Sequence, residues 1–328
     1  MVNTKRKLWK KILASMLGCA IITLGIYKNE KKKMFSGKYV TGLFFHNPPK
    51  STFENSIKWL VKNNCIFIST EKLLQIIKGK SAIPRRAVWI TVDDGWHGNM
   101  SGILPVMTKY NIPITFFIST DPVENRGVFW FSLVRKFKNN LPQVYQKNIK
   151  KLWLVDEHIR KEIVEKLEAK VSAEIAREAM TVSEVQYLST IPLVTIGSHT
   201  VHHVLTPNCT DRELTSEILD SQLKLEEWTG KKVIFFSYPS GKSDGREKKV
   251  FRKSGIKLAA TTRKKFITSS DDVYHMPRFC VNDEAYLPER LCQMVGAWGK
   301  VMNYFTFLQP KLLLNSAQRN NQGRVNRG

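Results

Sequence analysis

The feature that most constrains this 328-residue chain is a repeated unit: a short apolar run, a polar loop, then a stretch with helical spacing. Residues 39–45 are apolar and aromatic and end at His46-Asn47-Pro48-Pro49; Phe53, Ile57, Leu60 and Val61 then recur as one face of a helix over 52–63. Residues 65–69 read as a strand, and Leu73, Leu74, Ile76 and Ile77 as a helix. Pro84 introduces an apolar strand over 87–92 that stops at Asp93-Asp94-Gly95. The pattern continues with a helix to about 109 and a strand over 114–118. After a long interval it resumes with a strand at 193–197 leading into Ser198-His199-Thr200-Val201-His202-His203. Thr210-Asp211-Arg212-Glu213 is a capping box for a helix that reaches Trp228 and stops at Gly230. A strand over 233–236 ends at Ser237-Tyr238-Pro239-Ser240-Gly241, followed by a helix at 247–254 and a strand at 257–261. Short apolar strands alternating with helices predict an α/β fold of parallel βαβ units, closed into a barrel or left as an open sheet. Its polar chemistry falls just past the C-terminal strand ends, where parallel α/β folds gather their sites.

Residues 131–190 break the pattern. They are charged and helical, with no strand evident, and read as a helical insertion within one domain. Three regions follow: a basic N-terminal segment with a short membrane anchor (1–35), a catalytic domain (36–295), and an amphipathic segment with a disordered basic tail (296–328).

Charge sets the surroundings. The chain carries +24, and residues 1–35 hold nine basic residues against one acidic. Such a field favours a phospholipid surface or an acidic polymer, although a merely solubilising basic surface gives the same count. No Arg/aromatic module or recognition helix points to nucleic acid. Five cysteines without a CxxC spacing suggest neither a disulfide framework nor a zinc ribbon. Five basic residues precede an apolar run at 12–27, about 24 Å long as a helix. That is short of the roughly 30 Å hydrocarbon core. Lys28 and Lys31–Lys33 close the run, and no small-residue cleavage site follows, so an uncleaved anchor is expected. Lipidation at Cys19 is the alternative. Balanced flanking charge leaves the orientation nearly undecided.

The chemistry concentrates in two places. Asp93 and Asp94 sit side by side at a strand end, where neighbouring side chains point in different directions. One can therefore bind metal while the other faces a water, although a turn with a helix cap looks the same. His199 and His203 are four apart, so on a helical turn both reach one ion. Two imidazoles and a carboxylate leave coordination positions open, as a catalytic site requires.

Thr91-Val92-Asp93-Asp94-Gly95, Ser198-His199-Thr200-Val201-His202-His203 and Tyr238-Pro239-Ser240-Gly241 resemble, in order, the motifs of the polysaccharide deacetylase family (carbohydrate esterase family 4, the NodB-type homology domain). Phe44-Phe45-His46, Ile114-Thr115-Phe116-Phe117 and Met276-Pro277-Arg278 fit one branch of it, and the resemblance covers about residues 38–285. It implies a deformed (β/α) barrel that hydrolyses N-acetyl groups of an amino-sugar glycan, with one divalent metal, usually zinc. By motif position Asp94, His199 and His203 are the ligands and Asp93 the base; Tyr238 and Ser240 line the groove, the Ser240 N–H facing the oxyanion. Two departures stand out. Ser237 replaces the family's base-orienting Arg, which Arg278 can supply, and a Leu-x-His acid motif is missing, with His275 the nearest candidate. His46 can reach the barrel mouth or cap its loop. Trp96 and Trp130 are candidate sugar-stacking residues, or core. A membrane-tethered envelope enzyme is the expectation, with a cytoplasmic location, a catalytically weak glycan-binding protein and an O-acetyl esterase as the alternatives.

Overall fold

The computed structural model describes residues 6–171 and 176–308. Eight strands form one sheet: β1 (Val40–Phe45), β2 (Ile66–Ile68), β3 (Ala87–Asp94), β4 (Ile114–Ile118), β5 (Val194–Ser198), β6 (Phe235–Ser237), β7 (Leu258–Ala260) and β8 (Phe279–Cys280). The order is β7-β6-β5-β4-β3-β1-β8, and every pairing between these strands is parallel. β2 shares an edge of β3 with β4, pairing with Ala87–Trp89 while β4 takes Ile90 to Asp94.

All eight residues of β3 are buried, as expected of a central parallel strand covered on both faces. Alternation divides them. Val88, Ile90 and Val92 join the core under the helices; Ala87 and Trp89 join a second cluster with Phe117, Phe235, Leu258 and Met276 inside the curl of the sheet. One segment draws the two sheet edges together. Met276 bridges Ala260 of β7, and Phe279 and Cys280 pair with Leu43 and Phe44 of β1. The expected deformed barrel is this curled sheet.

The capping box and Gly230 stop are as the sequence dictates. Thr210 caps the helix Asp211–Thr229, and Gly230 takes the left-handed conformation. Among the described residues, the interval 131–190 carries α-helices at Trp130–Lys136, Gln143–Lys147, Glu157–Val171 and Val182–Thr190.

The N-terminal segment differs from expectation. It forms two helices, α1 (Leu8–Thr23) and α2 (Ile26–Met34), bent by 75° at a break containing Gly25. No single described helix is long and apolar enough to cross a membrane. α1 buries Ala14, Gly18 and Ile21, and a Cβ at Gly18 would lie 2.6 Å from the backbone nitrogen of Glu289 in the helix Leu287–Met294. The segment is thus packed on the catalytic domain. The helix Ala297–Leu308 follows, and the expected tail lies outside the described residues.

Candidate metal centre and catalytic site

β3 delivers Asp93 and Asp94 to the mouth of the curl, and β5 ends at Ser198 immediately before His199. The two carboxylates diverge as the pleat requires. Asp94 carries an unusual φ of +82°, its carbonyl accepting the Ser119 N–H at 3.1 Å. A non-glycine residue in such a conformation costs of order 1–3 kcal/mol, held by its surroundings.

Asp94 Oδ1 lies 3.4 Å from His199 Nε2 and 3.3 Å from His203 Nε2. One donor atom from each of the three falls within 4.8 Å of the others. All three side chains are buried. These separations suit a divalent ion with bonds of about 2.0–2.2 Å to nitrogen and oxygen. His199 Nδ1 faces the Ser237 carbonyl at 2.7 Å, which fixes the tautomer that leaves Nε2 free for metal. The convergence of the histidines does not come from a helical turn, as the four-residue spacing suggested. Residues 199–203 form a loop in which Thr200 (φ 67°) and His203 (φ 54°) are left-handed, closed by the Val204 N–H donating to Thr200 Oγ1.

Two tryptophans brace this triad. Trp96 Nε1 donates to Asp94 Oδ2 at 2.8 Å, and Trp130 Nε1 donates to the His203 carbonyl at 3.1 Å. Trp96 is 6% and Trp130 5% exposed, so neither offers a face to a sugar, and the stacking role fails for both. Trp96 packs on Phe129, while the Arg160 guanidinium sits 4.0 Å above the Trp130 ring, paired with Glu157. The insertion therefore packs behind the triad. Its return also pins the loop after Asp94, through Met180 N–H to Gly95 O and His97 N–H to Glu178 O.

Asp93 is clamped by Arg278. The guanidinium donates to Asp93 Oδ1 at 2.8 Å and Oδ2 at 2.9 Å, and also to Thr91 Oγ1, Ser237 Oγ and the Thr261 carbonyl. All five N–H groups are used. Arg278 thus supplies the charge that Ser237 lacks, from the segment that closes the sheet. Burial pushes the Asp93 carboxyl up, but the Arg278 charge, then that of His199, outweighs it and holds the pKa below the usual range. Burial likewise opposes ionisation of Asp94, and the facing His199 and His203 hold it well below that range. For His203, burial dominates and lowers the pKa to about 4, leaving the neutral imidazole a metal needs.

Tyr238 and His275 lie elsewhere than expected. Tyr238 is fully buried in the cluster of Phe236 and Phe251, so its side chain cannot line a groove. His275 stacks on Tyr238 at 5.8 Å, with Nδ1 on Asp272 and Nε2 on Ser243. Met276 and Arg278 point into the curl; His275 closes a turn, its N–H donating to the Asp272 carbonyl at 2.8 Å, and does not. Ser240 is exposed with φ 55°, and Gly241 follows at φ 68°, where a Cβ would meet Thr262 Oγ1 at 2.1 Å.

The under-read residue is His46. It follows β1, whose Phe45 pairs with Val92, so it lies beside the Asp93–Asp94 end of β3. Its ring packs on Phe44, its charge acts on both Asp93 and Asp94, and its N–H and that of Asn47 reach the buried Asp283 carboxylate. Its sequence signals were the strand-end position and the Phe44-Phe45-His46 match to one branch of the family.

Comparison with known proteins bears on the family and the fold. The family model for polysaccharide deacetylase matches residues 80–259. The poly-beta-1,6-N-acetyl-D-glucosamine N-deacetylase of Staphylococcus aureus is 25% identical over 237 residues, covering 72% of this chain and 68% of its own. Its Staphylococcus epidermidis counterpart is 22% identical over 240 residues, covering 71% and 68%. IcaB from Ammonifex degensii superposes with a TM-score of 0.57 at 18% identity (80% of this chain, 97% of that one). The Streptococcus pyogenes deacetylase PplD does so at 0.57 and 15% (78% and 98%). A buried Asp-His-His triad beside an Arg-clamped aspartate, at the mouth of this curled parallel sheet, thus accompanies a family match over more than half the chain: the protein belongs to the polysaccharide deacetylase family.

Proposed function

We propose that the protein is a metal-dependent hydrolase that removes N-acetyl groups from a polymer of N-acetylglucosamine, β-1,6-linked as in the relatives' substrate. The observation that carries this reading is the Asp94–His199–His203 triad, buried and convergent, with Asp93 held ionised beside it. Two imidazoles and one carboxylate favour zinc among common divalent ions, with positions left open for catalysis. A bound divalent ion supplies Lewis acidity, making a water acidic enough to attack at neutral pH. Asp93 accepts that water's proton; its two bonds to Arg278 weaken it as a base but keep it ionised and aimed. The Ser240 N–H donates to the oxygen that gains charge as the tetrahedral carbon forms. His46 donates a proton to the nitrogen as the C–N bond breaks, releasing acetate and a free amine. Its place beside both aspartates supports that role over His275, whose ring nitrogens face Ser243 and Asp272.

The enzyme works at the cell envelope, attached to a membrane through its N-terminal segment; the basic helices there support this. The test is acetate release from β-1,6-linked N-acetylglucosamine oligomers. Release abolished by a chelator and restored by zinc is expected. No release with any divalent metal would refute the reading and leave a glycan-binding role; release only from O-acetylated sugars would make it an esterase.

A further inference from the structure

The apolar surface left on α1 is the least explained part of the molecule. Leu8, Trp9, Ile12, Leu13 and Met16 are each between 47% and 64% exposed, at the spacing of one broad helical face. Lys10 is exposed on the same helix and Lys7 just before it, as are Lys28, Lys32 and Lys33 on α2. The opposite face is committed to protein. Gly18 lets the α1 backbone approach Pro288 and Glu289 closely. Arg6 Nη1 donates to both Glu289 carboxylate oxygens, its N–H to Glu284 at 2.7 Å, and Lys11 pairs with Glu284. Glu289 is fully buried, so undocking α1 would leave that carboxylate without its cation.

We infer that α1 is an interfacial helix that lies on an anionic phospholipid bilayer with its free apolar face in the headgroup boundary, and does not cross it. This rests on the membrane attachment proposed above. A helix of 16 residues spans about 24 Å, too little for the core, and it turns by 75° into the lysine-rich α2. A helix with one side packed on protein and the other apolar, flanked by lysines, fits the boundary plane. The apolar surface continues into a cavity of about 550 Å³ where the bend meets the helix Ala297–Leu308, with Leu17, Ile21 and Leu24 in its wall and Lys300 among its lining residues. The latch has a catalytic corollary. Glu284, which holds the start of α1, adjoins Asp283, whose carboxylate accepts the His46 and Asn47 N–H groups at the barrel mouth. Docking therefore fixes the mouth beside the bilayer.

The test uses the full chain with vesicles of phosphatidylcholine alone or mixed with phosphatidylglycerol. Sedimentation with the mixed vesicles, weakened by salt, is expected. Trp9→Glu/Leu13→Glu should weaken it by roughly tenfold or more while acetate release from a soluble oligomer is kept. Met16→Glu is the second variant should the double one fail to fold. Lys7→Gln/Lys10→Gln should reduce the preference for phosphatidylglycerol. From cell membranes, an alkaline carbonate wash should release the protein. Retention through that wash, variants that sediment like the parent, or equal binding to both vesicle types each overturn the inference. Vesicle binding with no acetate release from the parent protein refutes the deacetylase reading and supports the interfacial helix.

Discussion

Replacing Arg278 with Gln should move the acid limb of the enzyme's pH profile by units, and the structure sets the size. Arg278 is fully buried and Asp93 3% exposed, and the guanidinium meets both carboxylate oxygens at 2.8 and 2.9 Å. Glutamine keeps some hydrogen bonding but removes the charge, leaving a buried carboxylate without a counter-ion. Breaking a buried pair in this way costs about 3–5 kcal/mol. Protonating Asp93 relieves that cost, and at about 1.4 kcal/mol per unit it corresponds to a rise of about 2–4 units in its pKa. The sign follows from the present depression. With Arg278, the stabilising ionised form is fully present above the ordinary carboxylate pKa and lost only as pH falls below it. Without Arg278, burial wins and stability is regained as pH falls. The acid limb of kcat/KM for acetate release, which reports the free enzyme, should move up by a corresponding amount. Urea unfolding at neutral pH should show the lost stability. A cycle with Asp93→Asn separates pairing from packing: a coupling above about 2 kcal/mol is expected, whereas contact-free sites add within about 0.5 kcal/mol. An unmoved acid limb together with additive energies would refute the clamp.

Three further outcomes follow from the site. Trp96→Phe and Trp130→Phe each remove a donor behind a ligand, so metal affinity measured by chelator competition should fall about 10–100-fold with the fold intact; unchanged affinity would remove their bracing role. His46→Asn should lower kcat by about 10²–10⁴-fold, and His275→Asn far less; the reverse ranking would return the proton donor to His275. In the metal-free protein, His203 titrates near 4 against its ordinary 6.5, so the unfolded chain takes the proton first. The folded state should lose stability as pH drops from about 6.5 to about 4, by at most about 3 kcal/mol. Urea unfolding in chelator should show a shallower pH slope for His203→Gln, and equal slopes would contradict the buried neutral imidazole.

How much of this was legible beforehand depended on the range of the interactions. The strand at Ile114–Ile118, the helix Glu247–Ser254, the Thr210 cap and the Gly230 stop rest on residues within a few positions of one another, and they came out as read. The gathering of Asp94, His199 and His203 was also legible, since each of the three stands at or near a strand end. The spacing of the histidines pointed to the right residues for the wrong reason, because a loop with two left-handed residues, not a helical turn, brings them together. Trp96 and Trp130 read equally as sugar-stacking residues or core, and Tyr238 as a groove wall by resemblance alone. Their burial depends on how the insertion and the helix carrying Phe251 pack, which local sequence pattern does not state.

The parallel α/β plan, the candidate Asp-His-His cluster and a basic, apolar N-terminus were each written in local periodicity or residue type. Tertiary structure decided which side of the backbone each group faces. It pointed Arg278 to Asp93 and His275 away, brought His46 beside the aspartates, and laid α1 against the Leu287–Met294 helix. The physical reason is that in extended chain one residue's step reverses a side chain, and only the pairing of distant strands says which side holds the carboxylate.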